Sequence, residues 1–372
     1  MTLRLNASAE SSRLMNSLGS FRSGLPGSCS THTSFCLHAR VLRYATICSR
    51  HRREDSVAEH EAEQATNQAK DQAQDQAQDQ ATDPGKPAGK KKSGARRGRR
   101  RGGQKAAPSM AEQADRHVLY ERSVQCPESE IDFVDETYKK LTGRRARVLR
   151  EDFCGTGNTT CEWVRRRQTN RGYGVDIDPE PLAWGRAHHV AGLRPGQQKR
   201  VELIEGDVRE AVTERAPDIV LAMNFSYWIF DTREMMRRYF EHIRAQLAED
   251  GVFFLDCYGG YDAYREIEER TEHEDFTYVW DQAWFNPVTN ACRCAIHFEF
   301  PDGSRLDRAF TYSWRLWTLP EVREILGEAG FSDVVVYWQG WDAAGEEGDG
   351  VFVPTEEADA DAGWICYLSA RP

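Results

Sequence analysis

The distribution of apolar residues divides the chain at about residue 120. Beyond that point, short apolar runs alternate with segments whose apolar residues recur at the spacing of one helix face. This alternation predicts an α/β fold, in which helices cover both faces of a mostly parallel sheet. The predicted strands are 147–153, 172–176, 201–204, 218–223, 251–256, 334–337 and 363–368, and the predicted helices are 128–141, 158–167, 179–190, 235–247 and 320–329.

A different pattern separates the fifth of these strands from the sixth. Three long β-like runs are divided by segments rich in turn-forming Asn, Pro, Asp and Gly. The middle run alternates cleanly, which predicts an antiparallel strand with His297 on its solvated face. We therefore expect an antiparallel β insert over about 270–318, and an acidic loop over 345–362 before the last strand. The three runs are 276–285, 291–300 and 305–317.

The first 110 residues differ in composition from the rest of the chain. They carry 19 basic and 10 acidic residues, which leaves 30 of the 49 basic and 49 of the 59 acidic residues for 111–372. They contain none of the ten Trp, and a repeated Asp-Gln-Ala-Gln unit offers few apolar side chains to offset the entropy of ordering. We predict a disordered, basic, low-complexity tail over 1–110 and one acidic domain over 111–372, which is long enough to bury a full core.

Two parts of this tail leave alternatives open. Residues 1–53 carry eight Arg and one acid, the composition of an organelle transit segment, although the working protein could instead begin at Met110. Residues 86–105 contain a dense cationic run that can contact nucleic acid or other anionic partners nonspecifically. The chain has no apolar run long enough for a membrane span and too few Cys for a disulfide framework. We therefore expect a cytoplasmic protein, or an organellar one if residues 1–53 are a real transit segment.

Candidate chemistry is concentrated at the carboxyl ends of the first three strands. The turn from Gly155 to Gly157 follows the first strand and opens a helix, so its backbone can pass close to a ligand. Glu151 precedes the turn, Asp176 ends the second strand and Asp207 follows the third. Acids at the ends of adjacent strands surround the crevice in which such sheets bind ligands. Asp176 can accept hydrogen bonds from both hydroxyls of a ribose, and Asp207 can meet an adenine amino group.

This set resembles the class I S-adenosylmethionine-dependent methyltransferases of the small-molecule type. The resemblance covers roughly residues 145–260 in register and extends more weakly to 317–331. The matching motifs are Val148-Leu149 leading to Glu151, Cys154-Gly-Thr-Gly157, Gly174-Val-Asp176-Ile-Asp178, Glu205-Gly206-Asp207-Val208, Asp218-Ile-Val-Leu-Ala-Met-Asn224 and Ala248-Glu-Asp-Gly251.

The resemblance implies a Rossmann-like seven-stranded sheet with a final reversed hairpin, and S-adenosylmethionine as the cofactor. The glycine that is usual just before Cys154 is Phe153 here, which could reshape the methionine end of the pocket. By match of motif, the resemblance assigns the cofactor to Glu151, Cys154, Gly155, Thr156, Gly157, Asp176, Ile177, Asp207, Val208 and Asn224.

Other functions fit parts of the same pattern. A nicotinamide dinucleotide is disfavoured because position 160 is Thr instead of the third glycine of its fingerprint, and because Asp207 stands on the adenine side. A module that binds the cofactor without turnover is one alternative. A protein or RNA methyltransferase recruited by the basic tail is another. Our main hypothesis is methyl transfer to a small molecule.

The segment after the fourth strand and the insert supply the candidate substrate residues. Asn224 and Tyr227 lie at the predicted crevice mouth and are candidate catalytic residues, while Trp228 could form an aromatic wall for the acceptor. Arg315 could bind a carboxylate or phosphate of the acceptor, or could simply pair with a nearby acid. Tyr120 could close over the cofactor, an idea that rests on its position alone. No Cys or His pairs have the spacing of a metal site, so we expect no metal.

Overall fold

The computed structural model describes residues 107–341 and 348–372. These ranges contain eight α-helices and twelve strands, numbered here along the chain. The helices are α1 (Met110–Gln113), α2 (Arg116–Val124), α3 (Pro127–Thr142), α4 (Asn158–Arg166), α5 (Pro179–Gly185), α6 (Pro195–Gln198), α7 (Arg233–Gln246) and α8 (Leu319–Glu328). The strands are β1 (Val148–Asp152), β2 (Arg171–Asp176), β3 (Val201–Glu205), β4 (Ile219–Ala222), β5 (Val252–Gly259), β6 (Ile267–Glu272), β7 (Thr277–Asn286), β8 (Ala291–Glu299), β9 (Arg305–Arg315), β10 (Asp333–Trp341), β11 (Gly348–Pro354) and β12 (Trp364–Arg371).

The larger sheet has eight strands in the order β11-β10-β12-β5-β4-β1-β2-β3. The strands from β5 to β3 in this order pair in parallel, and β12, β10 and β11 join antiparallel. The predicted fold class is confirmed, with the seven predicted strands and the final reversed hairpin in place. The eighth strand, β11, corrects the expectation of a loop over 345–362. Acidic neighbours dominate the composition there, but an edge strand needs only backbone pairing with β10.

The insert is a separate four-stranded antiparallel sheet in the order β6-β7-β8-β9. Its last three strands are the three predicted runs, which confirms the antiparallel insert. The sequence pattern does not predict β6, because Ile267–Glu272 alternates half-buried with exposed positions and is mostly charged. Such an edge strand carries no apolar run to mark it.

His297 is buried, which corrects the prediction that it faces solvent. Its Nδ1 lies 2.6 Å from an Asp307 carboxylate oxygen, and its Nε2 lies 3.4 Å from one of Asp281. Asp307 is on β9 and Asp281 on β7, the two neighbours of β8. Asp307 and Asp281 thus cover the face of β8 that the alternating pattern predicts to be exposed to solvent. They also provide the hydrogen-bond partners that a buried imidazole needs.

Helices pack on both faces of the larger sheet, each over its own apolar core. On one face, α3 and α4 cover β1, β4 and β5 through side chains such as Ile131 and Trp163. On the other face, α7 and α8 do so through side chains such as Phe240 and Ile325. The second core continues without a break into the insert, so the insert is packed on the sheet.

Two short helices precede the first predicted helix. Met110 N of α1 donates to Asp302 in the turn between β8 and β9, at 2.8 Å. Arg116 and His117 of α2 contact Glu180 of α5, at 2.6 and 3.0 Å. Helix α2 is thus held on one side by α5, while α1 is held by the insert. None of the described helices is both long and apolar enough to cross a bilayer. The transit prediction for 1–53 and the anionic-contact prediction for 86–105 fall outside the described residues.

Candidate functional site

A cleft of about 520 Å³ opens at the carboxyl ends of β1, β2 and β4. Its walls come from the Gly turn after β1, the ends of β2 and β4, helix α2 and strand β9. We call this space the outer cleft. The predicted site residues that line it are Glu151, Cys154, Gly155, Thr156, Asp176 and Asn224.

Glu151 lies at the inner end of the outer cleft and is almost fully buried. Its Oε2 accepts hydrogen bonds from the Thr160 amide at 2.8 Å and from the Thr160 hydroxyl at 2.5 Å. Burial raises the pKa of Glu151 to about 7, although the bonds from Thr160 favour its charged form. The Thr that replaces a third glycine at position 160 therefore holds this carboxylate in place.

The turn after β1 keeps a left-handed backbone at three positions. The φ angles are +57° at Phe153, +53° at Gly155 and +70° at Gly157. Glycine adopts this conformation freely, whereas a bulky side chain pays for it in steric strain. The Phe153 ring packs 6.0 Å from that of Phe230 and 5.9 Å from that of Tyr239. Phe153 therefore keeps the backbone conformation that the glycine usual at this position would take. Gly157 is the N-cap of α4 and does not line the cleft.

Asp176 anchors the Gly turn from the neighbouring strand. Its Oδ2 accepts the Gly155 amide at 2.8 Å, and its Oδ1 accepts the Asp178 amide at 2.9 Å. Burial raises its pKa. Each oxygen of a carboxylate can accept more than one hydrogen bond, so Asp176 can still receive donors from the cleft. The next residue, Ile177, is 70% exposed at the end of β2.

The loop after β3 is held by a buried ion pair on β1. Arg150 is fully buried and donates to an Asp152 carboxylate oxygen at 2.6 Å and to the Val208 carbonyl at 2.8 Å. Asp207, beside Val208, is engaged by Arg209 at 2.5 Å, and this contact lowers the pKa of Asp207. Neither Asp207 nor Val208 lines the outer cleft as the chain stands.

Asp256 was not among the predicted site residues. It is buried on β5 and accepts the Asn224 amide at 2.7 Å and the Phe225 amide at 2.9 Å. Both of these residues have left-handed backbones, with φ of +58° and +56°. Burial raises the pKa of Asp256 to about 7. The predicted fifth strand, 251–256, ends at this acid, just as the second ends at Asp176. The sequence pattern therefore also allowed Asp256 to be predicted as a site residue.

A second space of about 60 Å³ adjoins the outer cleft, and we call it the inner cavity. Its walls come from α2, the ends of β4 and β5, strand β12 and the insert strands β7, β8 and β9. Most of the lining side chains are aromatic, and Asp256 is the carboxylate among them. The residues that line both spaces are Tyr120, Asn224, Tyr312 and Trp314.

Several buried polar atoms have no hydrogen-bond partner among the described residues. They include Ser123 Oγ on α2, which lines the inner cavity, Glu130 Oε1 on α3, and Nε1 of Trp228, whose ring lies 4.9 Å from that of Tyr258. Burial raises the pKa of Glu130 to about 8, and the Glu151 and Asp256 carboxylates add to the effect. The other two buried carboxyl groups therefore disfavour the charged form of Glu130.

The candidate catalytic residue Tyr227 and the candidate substrate residues Trp228 and Arg315 line neither space. Tyr227 is fully buried, and its hydroxyl donates to the Asp256 carbonyl at 2.7 Å. Trp228 is also buried, behind Trp314 at a ring distance of 6.1 Å. Arg315 contacts Glu321 at 3.1 Å. The short helical turn that follows Asn224 directs the next aromatic residues into the core, a change of direction that sequence spacing does not show.

In the part of the chain that the structure describes, the Cys154 thiol and the neighbouring acids and histidines show neither a reactive thiolate nor a metal-binding group. Burial raises the pKa of the Cys154 thiol well above its usual range, so it stays protonated. Within the described residues, no three His, Cys, Asp or Glu side chains group closely enough to hold a metal ion.

Comparisons with known proteins agree with this geometry. Residues 154–253 match the family described as "Methyltransferase domain". A solved S-adenosylmethionine-dependent methyltransferase from Clostridium acetobutylicum has a TM-score of 0.50 and 18% identity, over 68% of this chain and 97% of that one. CalS10, an amino pentose methyltransferase from Micromonospora echinaspora, has a TM-score of 0.49 and 17% identity, over 69% of this chain and 96% of that one. No curated protein matches this chain significantly in sequence.

The matched segment runs from the Gly turn to β5 and so contains the strand ends that form the outer cleft. The cleft lies at the carboxyl ends of parallel strands, which is where the sequence pattern predicts a ligand. Residues 154–253 thus match a methyltransferase domain, and the chain has the fold of a solved S-adenosylmethionine-dependent methyltransferase.

Proposed function

We propose that this enzyme transfers the methyl group of S-adenosylmethionine to a small-molecule acceptor bound in the inner cavity. The observation that carries the proposal is the shared wall formed by Tyr120, Asn224, Tyr312 and Trp314. An acceptor atom in the inner cavity would lie next to a cofactor in the outer cleft, which is the proximity that a displacement reaction requires.

The outer cleft fits the cofactor, which supplies an electrophilic methyl group on a sulfonium when bound. Its volume of about 520 Å³ falls within the range of roughly 300–1,000 Å³ typical of ligand sites. We assign the methionine end to Glu151 and the Gly turn, and the ribose to Asp176, whose oxygens can accept further hydrogen bonds. Cys154 and Thr156 are assigned to the cofactor along the turn. Gly157, Ile177, Asp207 and Val208 lie outside the lining of the cleft, so their assignment rests on the sequence motif alone.

The acceptor side is assigned to the insert and to the end of β4. In this proposal residues 111–372 form the methyltransferase domain, and the insert at about 270–318 closes the inner cavity. Asn224 lies at the junction of the two spaces, so its amide can orient the acceptor. Because Asp256 accepts the main-chain amides of Asn224 and Phe225, it fixes the backbone of this junction.

The size of the inner cavity favours a small acceptor, or the narrow end of a larger one. Its volume of about 60 Å³ corresponds to room for about four or five water molecules. Helix α2 and the insert enclose this space on the side away from the sheet. A folded RNA helix could not enter it.

The test is methyl transfer by the full chain, with the label in the methyl group of S-adenosylmethionine. Metabolites, RNA and protein from one cell extract are offered as separate acceptor pools. We expect label in the metabolite pool, and much less of it with an Asp176→Ala variant whose cofactor affinity is weakened, at a cofactor concentration below that variant's dissociation constant. Label confined to RNA or protein would contradict a small-molecule acceptor and would favour recruitment of a macromolecule.

A further inference from the structure

Aromatic rings form most of the wall of the inner cavity. The Tyr312 ring lies 4.4 Å from that of Trp314 and 5.8 Å from that of Trp280. On the opposite side, the Phe225 ring lies 4.8 Å from that of Tyr258. The faces of such rings attract cations, and the attraction strengthens when water is excluded.

The charge at this cavity has one sign. Asp256 is the ionisable acid in its lining, and none of the lining residues is Lys, Arg or His. The Asp256 carboxylate would repel an anionic acceptor group in this cavity, whereas it would attract a cation.

A polar donor is also expected of the ligand. Ser123 Oγ lines the cavity, is buried and has no hydrogen-bond partner among the described residues. Leaving a buried hydroxyl without a partner costs free energy, which a ligand N–H group could recover. Asp256 satisfies two main-chain amides and can accept a further donor.

We infer that the acceptor is an aliphatic amine, bound as its ammonium ion between the aromatic rings and the Asp256 carboxylate. This inference rests on the proposed function and names the substrate class of the same site. Trp280, Tyr312 and Trp314 surround the cation, and Asp256 with Ser123 orients its N–H groups.

The reaction that follows balances without another reactant. The ammonium gives one proton to the Asp256 carboxylate, and the freed nitrogen lone pair forms a bond to the methyl carbon. The carbon–sulfur bond breaks at the same time, and its electron pair stays on sulfur, which becomes an uncharged thioether. The methylated nitrogen is cationic again, and Asp256 releases its proton to solvent after the product leaves.

Binding can be measured apart from turnover with two probes of one shape. The full chain is saturated with S-adenosylhomocysteine and titrated in a calorimeter with choline. It is then titrated with the carbon analogue in which a tert-butyl group replaces the trimethylammonium group. We expect choline to bind at least about tenfold more tightly, since only choline carries a charge. Equal affinities, or tighter binding of the uncharged analogue, would overturn the inference, as would failure of both probes to bind.

Two variants assign the effect to the cavity. Asp256→Asn should weaken choline about tenfold and leave the uncharged analogue unchanged. Because Asp256 also supports the backbone, Trp280→Leu provides a second variant, which should weaken choline more than the analogue. The matched control is Trp284→Leu on the same strand, whose ring is 37% exposed and contacts Arg293 instead of the cavity. An equal effect of Trp284→Leu would overturn the assignment.

Fractionation of the metabolite pool separates this inference from the proposed function. The pool is divided by ion exchange into bases, acids and neutral compounds before the transfer assay. Label in the basic fraction, located on nitrogen by mass spectrometry, is expected. Label only in the acidic or neutral fraction would overturn the amine inference and leave the small-molecule function standing. Label in no metabolite fraction would overturn both.

Discussion

At the residue scale, the site is organised by buried and half-buried carboxylates whose partners differ. Asp176 and Glu151 each accept at least two hydrogen bonds, and they lie on strands that the sequence pattern already predicts. Glu130 differs because it lies on a helix that also carries Glu128. Tertiary packing buries Glu130 and leaves Glu128 exposed. Sequence spacing could therefore identify Asp176 but could not separate Glu130 from its neighbour.

The ribose assignment predicts that Asp176→Ala weakens cofactor binding. Hydrogen bonds to a charged acceptor contribute about 1.5–3 kcal/mol, so we expect about a tenfold to hundredfold loss of S-adenosylmethionine affinity by calorimetry. The control is Glu202→Gln on the adjacent strand β3, where the side chain is exposed. Unchanged affinity in Asp176→Ala would refute the assignment.

Burial of Glu130 predicts a dependence of stability on pH. Its pKa is raised from 4.5 to about 8, so across this window the folded chain holds a proton that the unfolded chain releases. Stability from this group therefore falls as pH rises from 4.5 to about 8. Melting temperatures measured at the two ends of the window should differ less in Glu130→Gln than in the wild type. Glu128→Gln, at the exposed position, should keep the wild-type difference in melting temperature between the two pH values. If Glu128→Gln reduced this difference as much as Glu130→Gln, Glu130 would not be the cause of the pH dependence.

At the element scale, the parallel strands and the helices that cover them follow from the sequence pattern, and the edges of the fold do not. Helix α2 was missed because it buries a few residues against two different partners, α5 and the insert, and so shows no continuous apolar stripe. Strands β6 and β11 lie at sheet edges and are polar or exposed. Missing α2 mattered most, because it supplies Tyr120 and Ser123 to the inner cavity.

The Arg150–Asp152 pair predicts a strong link between β1 and the loop after β3. Arg150→Met leaves a buried charge on Asp152 and frees the Val208 carbonyl, so we expect a loss of about 3–5 kcal/mol in the free energy of unfolding. Adding Asp152→Asn should recover part of this loss, because the charge disappears while Tyr239 keeps an acceptor. Chemical denaturation measures both. The control is Arg147→Met at an exposed position, where we expect little change in the free energy of unfolding. If Arg150→Met changed it as little as Arg147→Met, the link would be contradicted.

At the scale of the whole molecule, the net charge of −10 averages over regions of opposite sign. The residues from 111 onward carry 49 acids against 30 bases, and the acids assigned to the site are a small part of them. The contacts of Met110 and Ala111 with the turn between β8 and β9 show that the folded body includes α1. Composition alone could not reveal these contacts, because it carries no information on which residues meet in the fold.

This boundary predicts different outcomes for two truncations. Removal of residues 1–106 should leave the melting temperature and the affinity for S-adenosylmethionine unchanged, because residues from 110 onward make the contacts that hold α1 and α2. Removal of residues 1–125 should lower both, since α1 and α2 are lost. Thermal melting and calorimetry provide the comparison. Loss of cofactor affinity in the shorter truncation would contradict a self-contained domain over 111–372.

The central claim is that the methyl group crosses from the outer cleft to the inner cavity at the wall they share. A crystal structure of the full chain with S-adenosylhomocysteine tests it most directly. We expect the product in the outer cleft, with its ribose hydroxyls on Asp176 and its sulfur facing Asn224, Tyr120 and Trp314. A product bound elsewhere, or one whose sulfur points away from the inner cavity, would contradict it.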